Sequence, residues 1–223
     1  NNTNIFYVGT GEANTATITY RESSSRGVGI WKTTNGGQSW ELLESTFLFE
    51  YITDIELKDN NGNTEIYASV ASGTYQGSEH ESSPSDGLYK SVNGGLSWVQ
   101  VLPNIPNTTV PYSPSDIEIT SEGRIFLGTM KNLQGDGGSV ILYSDTGDED
   151  TWVVYDNYQS IITNSNNNNI PGRVILTSSE NNPNYIYAVF GAGFLNNMNF
   201  NLSHGSYIIK SSNSGNTWSQ VNL

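Results

Sequence analysis

Four arginines, Arg21, Arg26, Arg124 and Arg173, are the groups in this chain that could converge on a substrate carboxylate beside a tyrosine nucleophile and an acid. Arg21 and Arg26 share one predicted loop while Arg173 opens a predicted strand, so their spacing argues against such a triad. Inverting glycoside hydrolysis needs instead two carboxyl groups about 6.5–9.5 Å apart. Glu12, Asp54 and Asp116 fall near strand ends and are the acids on offer, yet turn capping or solvation suits each of them better. A third chemistry is cation binding. Residues 145–150 gather four carboxylates, of which Asp145, Asp148 and Asp150 are candidate calcium ligands, oxygen donors being what a hard cation takes. The EF-hand order is missing, and a solvated acidic turn is the plainer reading. His80 and His204 lack the spacing of a zinc site. No catalytic residue is assigned and no cofactor other than calcium is considered, which leaves recognition as the expected chemistry.

The elements that must position these groups repeat. Residues 33–40, 91–98 and 211–218 share one pattern: Ser or Thr, any residue, Asn, two turn residues, any residue, Ser or Thr, then Trp. Residues 144–152 carry it with one extra residue. The closing tryptophans Trp40, Trp98, Trp152 and Trp218 stand 58, 54 and 66 residues apart, room for four short strands and their loops. Each pattern is preceded by a β-branched and aromatic run, 5–9, 66–70, 125–129 and 186–190, and by a second run leading into it. A third run leaves it at the tryptophan, and runs 52–57, 115–119 and 173–176 fall between units. The first unit lacks that inter-unit run, so fifteen blade strands are expected. No segment carries a helical stripe.

Lying between two strands, the pattern should be a hairpin turn. Asn35, Asn93, Asp145 and Asn213 are expected to accept backbone N–H groups, Gly37, Gly95 and Gly215 to supply positive φ, and each Trp to bury its ring under the turn. These residues are thereby assigned to architecture rather than catalysis.

Composition narrows the partners. The net charge is -13 with nine basic residues, which excludes a phosphate-backbone partner and so nucleic acid. No apolar stretch has the roughly 18 residues of a membrane helix, so membrane insertion is not expected. Charged residues make up 14% of the chain, against roughly 25% in an average domain, with Asn, Ser, Thr and Gly supplying the polar surface. The absence of cysteine removes a disulfide framework. With Asn1 in place of Met and no signal segment, the chain reads as trimmed or processed.

The tryptophan-closed patterns, with residues 7–12, 29–37, 172–175 and 182–187, make the chain resemble the Asp-box (BNR) repeat β-propellers, especially their sortilin-like and xyloglucanase-like branch. The resemblance spans nearly all 223 residues. It implies an all-β propeller of four-stranded antiparallel blades with Asp-box hairpin turns, here 1–50, 51–113, 114–171 and 172–223, forming one segment of a larger propeller. The remaining part of the same polypeptide is then an expected partner. The catalytic Asp motifs of xyloglucanase-like relatives find no match. The Asn-rich style is similar to that of secreted Bacteroidetes proteins, implying a secreted or cell-surface location.

Function should then lie in loops held by the scaffold. Loops 13–28, 72–86 and 194–205 each join the same two strand types and should emerge on one face, with 131–138 as a shorter equivalent. They offer Tyr20, Arg21 and Arg26, then Tyr75 and His80, then Phe194 and Phe200 as binding residues. The expected function is a non-catalytic binding or interaction module for a carbohydrate or protein. The alternatives are a fragment of a xyloglucanase- or sialidase-like glycoside hydrolase, and a component or cargo of a bacterial export assembly. Residues 164–169 read as a low-complexity surface loop.

Overall fold

The computed structural model describes residues 3–13, 25–75, 78–155, 173–191, 194–196, 199–201 and 208–221. Tyr20, Arg21, His204 and residues 164–169 lie outside them, as do the side chains of Phe194 and Phe200. The described chain is antiparallel β-structure with one short 3-10 turn, Glu44–Thr46. It forms two compact units: residues 1–114 with 132–136, and residues 115–131 with 137–223.

In unit one, β1 (Phe6–Gly9), β2 (Ile30–Thr33) and β3 (Glu41–Leu42) make a three-stranded sheet. A four-stranded sheet follows, from β4 (Tyr51–Asn60) and β5 (Asn63–Ala71) to β8 (Gly87–Ser91) and β9 (Val99–Gln100). Between β5 and β8 the chain forms a separate ribbon of β6 (Gly73–Tyr75) and β7 (Ser78–His80). Ile30, Phe49, Ile52, Ala68, Val70 and Tyr89 form a buried core, with Tyr7, Leu43, Ile55 and Trp98 packed against it. Gly9 is small for a reason: a Cβ there would stand 2.4 Å from the Ile52 side chain.

Unit two holds one eight-stranded sheet made of two four-stranded groups. The first pairs β10 (Ser113–Ile119, entering the unit at Ser115), β11 (Ile125–Met130), β12 (Ile141–Ser144) and β13 (Val153–Tyr155). The second runs β14 (Arg173–Ser179), β15 (Asn182–Gly191), β18 (Ile208–Ser211) and β19 (Ser219–Gln220). Met130 opposite Arg173 links the two. A ribbon of β16 (Phe194–Asn196) and β17 (Asn199–Asn201) interrupts β15 and β18. Phe126, Ile141, Val174, Ile186, Ala188 and Ile209 are buried together with Trp218.

The sheets therefore contain fifteen blade strands among the described residues. The runs expected as loops 72–86 and 194–205 carry hairpins of their own, and Glu12, just before loop 13–28, bridges Ser25 within it. Backbone donors and acceptors in long insertions must be satisfied, and pairing the two arms of the insertion is the local way to do it.

Candidate functional site

The tryptophan-closed turns are built alike. Asn93 Oδ1 accepts the Ser97 N–H at 3.0 Å and the Ser91 hydroxyl at 3.0 Å, while its Nδ2 donates to Ser97 Oγ at 2.8 Å. Ser91 Oγ also accepts the Gly95 N–H at 2.9 Å, and Gly95 has φ +90°. Asn35 with Thr33 and Ser39 repeats these bonds, as does Asn213 with Ser211 and Thr217. Every polar atom of the amide is committed within its own turn.

The third turn corrects one expectation. Counted from Ser144, the amide's place falls on Thr146, with the extra residue between it and Trp152, and the Thr146 hydroxyl donates to Thr151 Oγ1 at 3.2 Å. Asp145 is instead clamped by Arg124, whose Nε and Nη2 donate to it at 2.6 and 3.1 Å. That partner is a cation, the wrong neighbour for a metal ligand. Among the described residues no group of three His, Asp or Glu side chains could hold a metal ion, Asp145, Asp148 and Asp150 included.

A second correction concerns the tryptophans. Trp218 is 9% exposed but Trp40 is 40% exposed, although both close the same kind of turn. A turn covers one side of the ring; the other side needs a neighbouring strand.

The candidate acids are engaged with backbone. Asp54 Oδ1 accepts the Ile55 N–H at 2.8 Å, Asp116 accepts the Leu176 N–H at 2.5 Å, and Glu12 lies on the bridge to Ser25.

At the opposite end of the unit-one strands, the ribbon of loop 72–86 and the end of loop 13–28 meet at Glu50. The Glu50 N–H donates to Ser82 Oγ at 3.2 Å, and its carbonyl accepts the Gly27 N–H at 2.7 Å. Its carboxylate takes Arg26 through Nε at 2.9 Å and Nη2 at 2.5 Å, and this bidentate bond raises the guanidinium pKa. Next in sequence, Tyr51 is fully buried, and its hydroxyl has no hydrogen-bond partner among the described residues. Burial, reinforced by the Glu50 charge and by Tyr75 and opposed by Arg26, pushes Tyr51 up to about 12, so the phenol stays protonated. Tyr75 closes the cluster with His80 edge-on at 6.1 Å between ring centroids.

Arg26, Tyr75 and His80 were legible as loop residues, and the structure places Arg26 and Tyr75 beside Tyr51. Glu50 and Tyr51 were not singled out from sequence, nor was the exposed apolar margin of Val28, Phe47 and Leu48, 43%, 54% and 52% exposed. The segments that carry it are joined through the backbone: the Gly29 N–H donates to Phe49 O at 3.1 Å and the Ser83 N–H to Leu48 O at 3.2 Å. The Phe47-Leu48-Phe49 run between a closing tryptophan and the next inner strand was the available signal.

No protein-family model and no curated protein matches this chain. Among solved structures, it is similar to an ancestral GH74 enzyme with TM-score 0.57 and 17% identity over 100% of this chain and 25% of that one. It is similar to the GH74 xyloglucanase from Xanthomonas campestris with TM-score 0.52 and 16% identity over 89% and 27%. YCF48 bound to D1 peptide gives TM-score 0.46 and 17% identity over 86% and 46%. The chain thus spans about a quarter of each GH74 enzyme and less than half of YCF48. At these identities the GH74 likeness establishes the fold: an all-β propeller built from four-stranded antiparallel blades with tryptophan-closed hairpin turns.

Proposed function

We propose that this chain is a non-catalytic binding module of a secreted or surface protein, and that its ligand is a protein segment seated on the Arg26–Tyr75 end of unit one. The observation that carries this is the pairing of an exposed apolar margin, Val28, Phe47 and Leu48, with the Arg26–Glu50 pair and the Tyr75–His80 rings. Aromatic and arginine side chains around an apolar centre are what protein interfaces concentrate. We read the tryptophan-closed turns as Asp-boxes of the sortilin-like and xyloglucanase-like branch. They support the face without touching the ligand.

Selection from a displayed peptide library on the intact chain tests the reading, with a glycan array run in parallel. Peptides should be enriched, and Phe47→Ser and Tyr75→Ala should each weaken the best one about tenfold or more, the scale of a lost interface anchor, with little change in melting temperature. Binding that survives both substitutions would refute the site. Glycan binding at the same residues would replace protein by carbohydrate as the ligand. Release of reducing sugar from a polysaccharide would favour the glycoside hydrolase fragment.

A further inference from the structure

Within each unit, the tryptophan side of the second blade is covered by the chain leaving the first. Within unit one, Ser45 Oγ donates to Gly95 O at 2.6 Å and accepts Trp98 Nε1 at 3.1 Å. Leu43 packs into the same cluster as Trp98, and a Cβ on Gly95 would stand 2.5 Å from its Cδ1. Within unit two, Tyr155 follows Trp152 by three residues, as Leu43 follows Trp40. Its ring lies 6.3 Å from that of Trp218, and its hydroxyl donates to Asn216 O at 3.1 Å. One arrangement has been built twice from different side chains.

Strand register carries it to the first sheet. Phe6 stands opposite Thr33, as Ile66 stands opposite Ser91 and Ile186 opposite Ser211, each partner being the first hydroxyl of a turn. Val8 therefore occupies the place of Ala68 and Ala188. Ile66, Ala68, Ile186 and Ala188 are all 0% exposed, whereas Phe6 is 48% and Val8 45% exposed, and the closing Trp40 of the same sheet is 40% exposed. The intervening residues Tyr7 and Gly9 pack toward Ile52 and Ile55. Exposure is thus confined to one face. The outer edge of β1 also pairs with no described strand, while β5 and β15 are paired on both edges.

We propose that the face bearing Phe6, Val8 and Trp40 is an interblade interface, and that its occupant is the exit segment of one further blade of this repeat, carried by polypeptide outside residues 1–223. The occupant has a stated chemistry: an apolar or aromatic residue three positions after its own closing tryptophan, and a hydroxyl either on that residue, as in Tyr155, or two positions later, as in Ser45. Continuity with the two interfaces already formed is the argument, and it is independent of what the loop face binds.

The test compares the 223-residue chain with the polypeptide extended to the limits of its natural reading frame. Both carry 5-fluorotryptophan, and Trp40→Phe assigns the Trp40 fluorine resonance. In the longer protein that resonance should shift and lose its sensitivity to a soluble paramagnetic quencher several-fold, with Trp98 unchanged. Phe6→Ser should lower the melting temperature of the longer protein more than that of the shorter. An equally accessible Trp40 in both proteins would overturn the proposal, as would a reading frame that encodes no further blade. Self-association of the 223-residue chain abolished by Phe6→Ser would overturn it too, by making a second copy the occupant.

Discussion

Replacing Asn93 by alanine should destabilise the protein and leave ligand binding untouched. The substitution removes two bonds accepted by Oδ1, from the Ser97 N–H and the Ser91 hydroxyl, and one donated by Nδ2 to Ser97 Oγ. At about 1 kcal/mol net for each bond the ceiling is about 3 kcal/mol. The turn is exposed, so water recovers part of this, and about 2 kcal/mol is the expected loss. For a chain of this size that is a fall of about 4–8 °C in melting temperature. Asn93→Asp keeps the acceptor and loses the Nδ2 donor, so it should cost about 1 kcal/mol or less. Leu96→Ser at the tip of the same turn, 78% exposed, is the neutral control. Thermal and urea unfolding give the stabilities, and titration with a selected peptide gives the affinity. Wild-type melting in Asn93→Ala would refute the bond accounting. Lost binding at unchanged melting would show that the turn belongs to the ligand site.

Two further substitutions probe packing and protonation. Gly95→Ala introduces a side chain at φ +90° and drives its Cβ to 2.5 Å from Leu43, so a loss of about 2–4 kcal/mol is expected in urea unfolding; a loss under about 1 kcal/mol would mean that the contact with Leu43 relaxes freely. Burial, with a smaller push from Glu81, holds the Asp86 carboxyl above its usual range despite the Ser72 hydroxyl bonded to it. A raised folded-state value means this group favours folding at low pH and loses that contribution as pH rises from the ordinary carboxylate value through the folded one. Asp86→Asn should therefore remove a fall in stability over that window, read from urea midpoints measured across the acid range. An unchanged pH profile would show that Asp86 ionises in the fold at no cost.

How far the sequence reached depended on whether the deciding contact was local. The alternating run at 52–57 and the aromatic run at 66–70 both became strands, because side-chain period and turn residues are short-range properties. The amide of Asn35 bonds within four residues of itself, so its role could be read from the pattern alone. Asp145 could not, because it stands one position before the amide's place, which Thr146 fills, and its carboxylate meets Arg124, 21 residues away. The exposure of Trp40 was equally hidden, because the contacts that reach Trp98 and Trp218 come from residues more than 50 positions away. The site around Glu50 is the extreme case. Its bonds join residues 24 and 32 positions apart, and no periodicity marks them.

The same geometry separates support from recognition. Strand β8 begins at Gly87, just past the ribbon that carries Tyr75 and His80, and ends at Ser91, the first hydroxyl of the second turn. Five extended residues span roughly 13 Å, so the most recognisable sequence in the blade lies at the far end from its most varied one. Between the two, Leu88 and Tyr89 are buried and the strand is paired on both sides, which leaves little freedom to pass a displacement along it. Loops 13–28 and 72–86 can therefore change while the turns stay fixed, and the turns stay fixed because their amides and hydroxyls are consumed within the turn itself. A repeat of this kind advertises its architecture in sequence, and what it binds must be sought at the end of the sheet where the pattern stops.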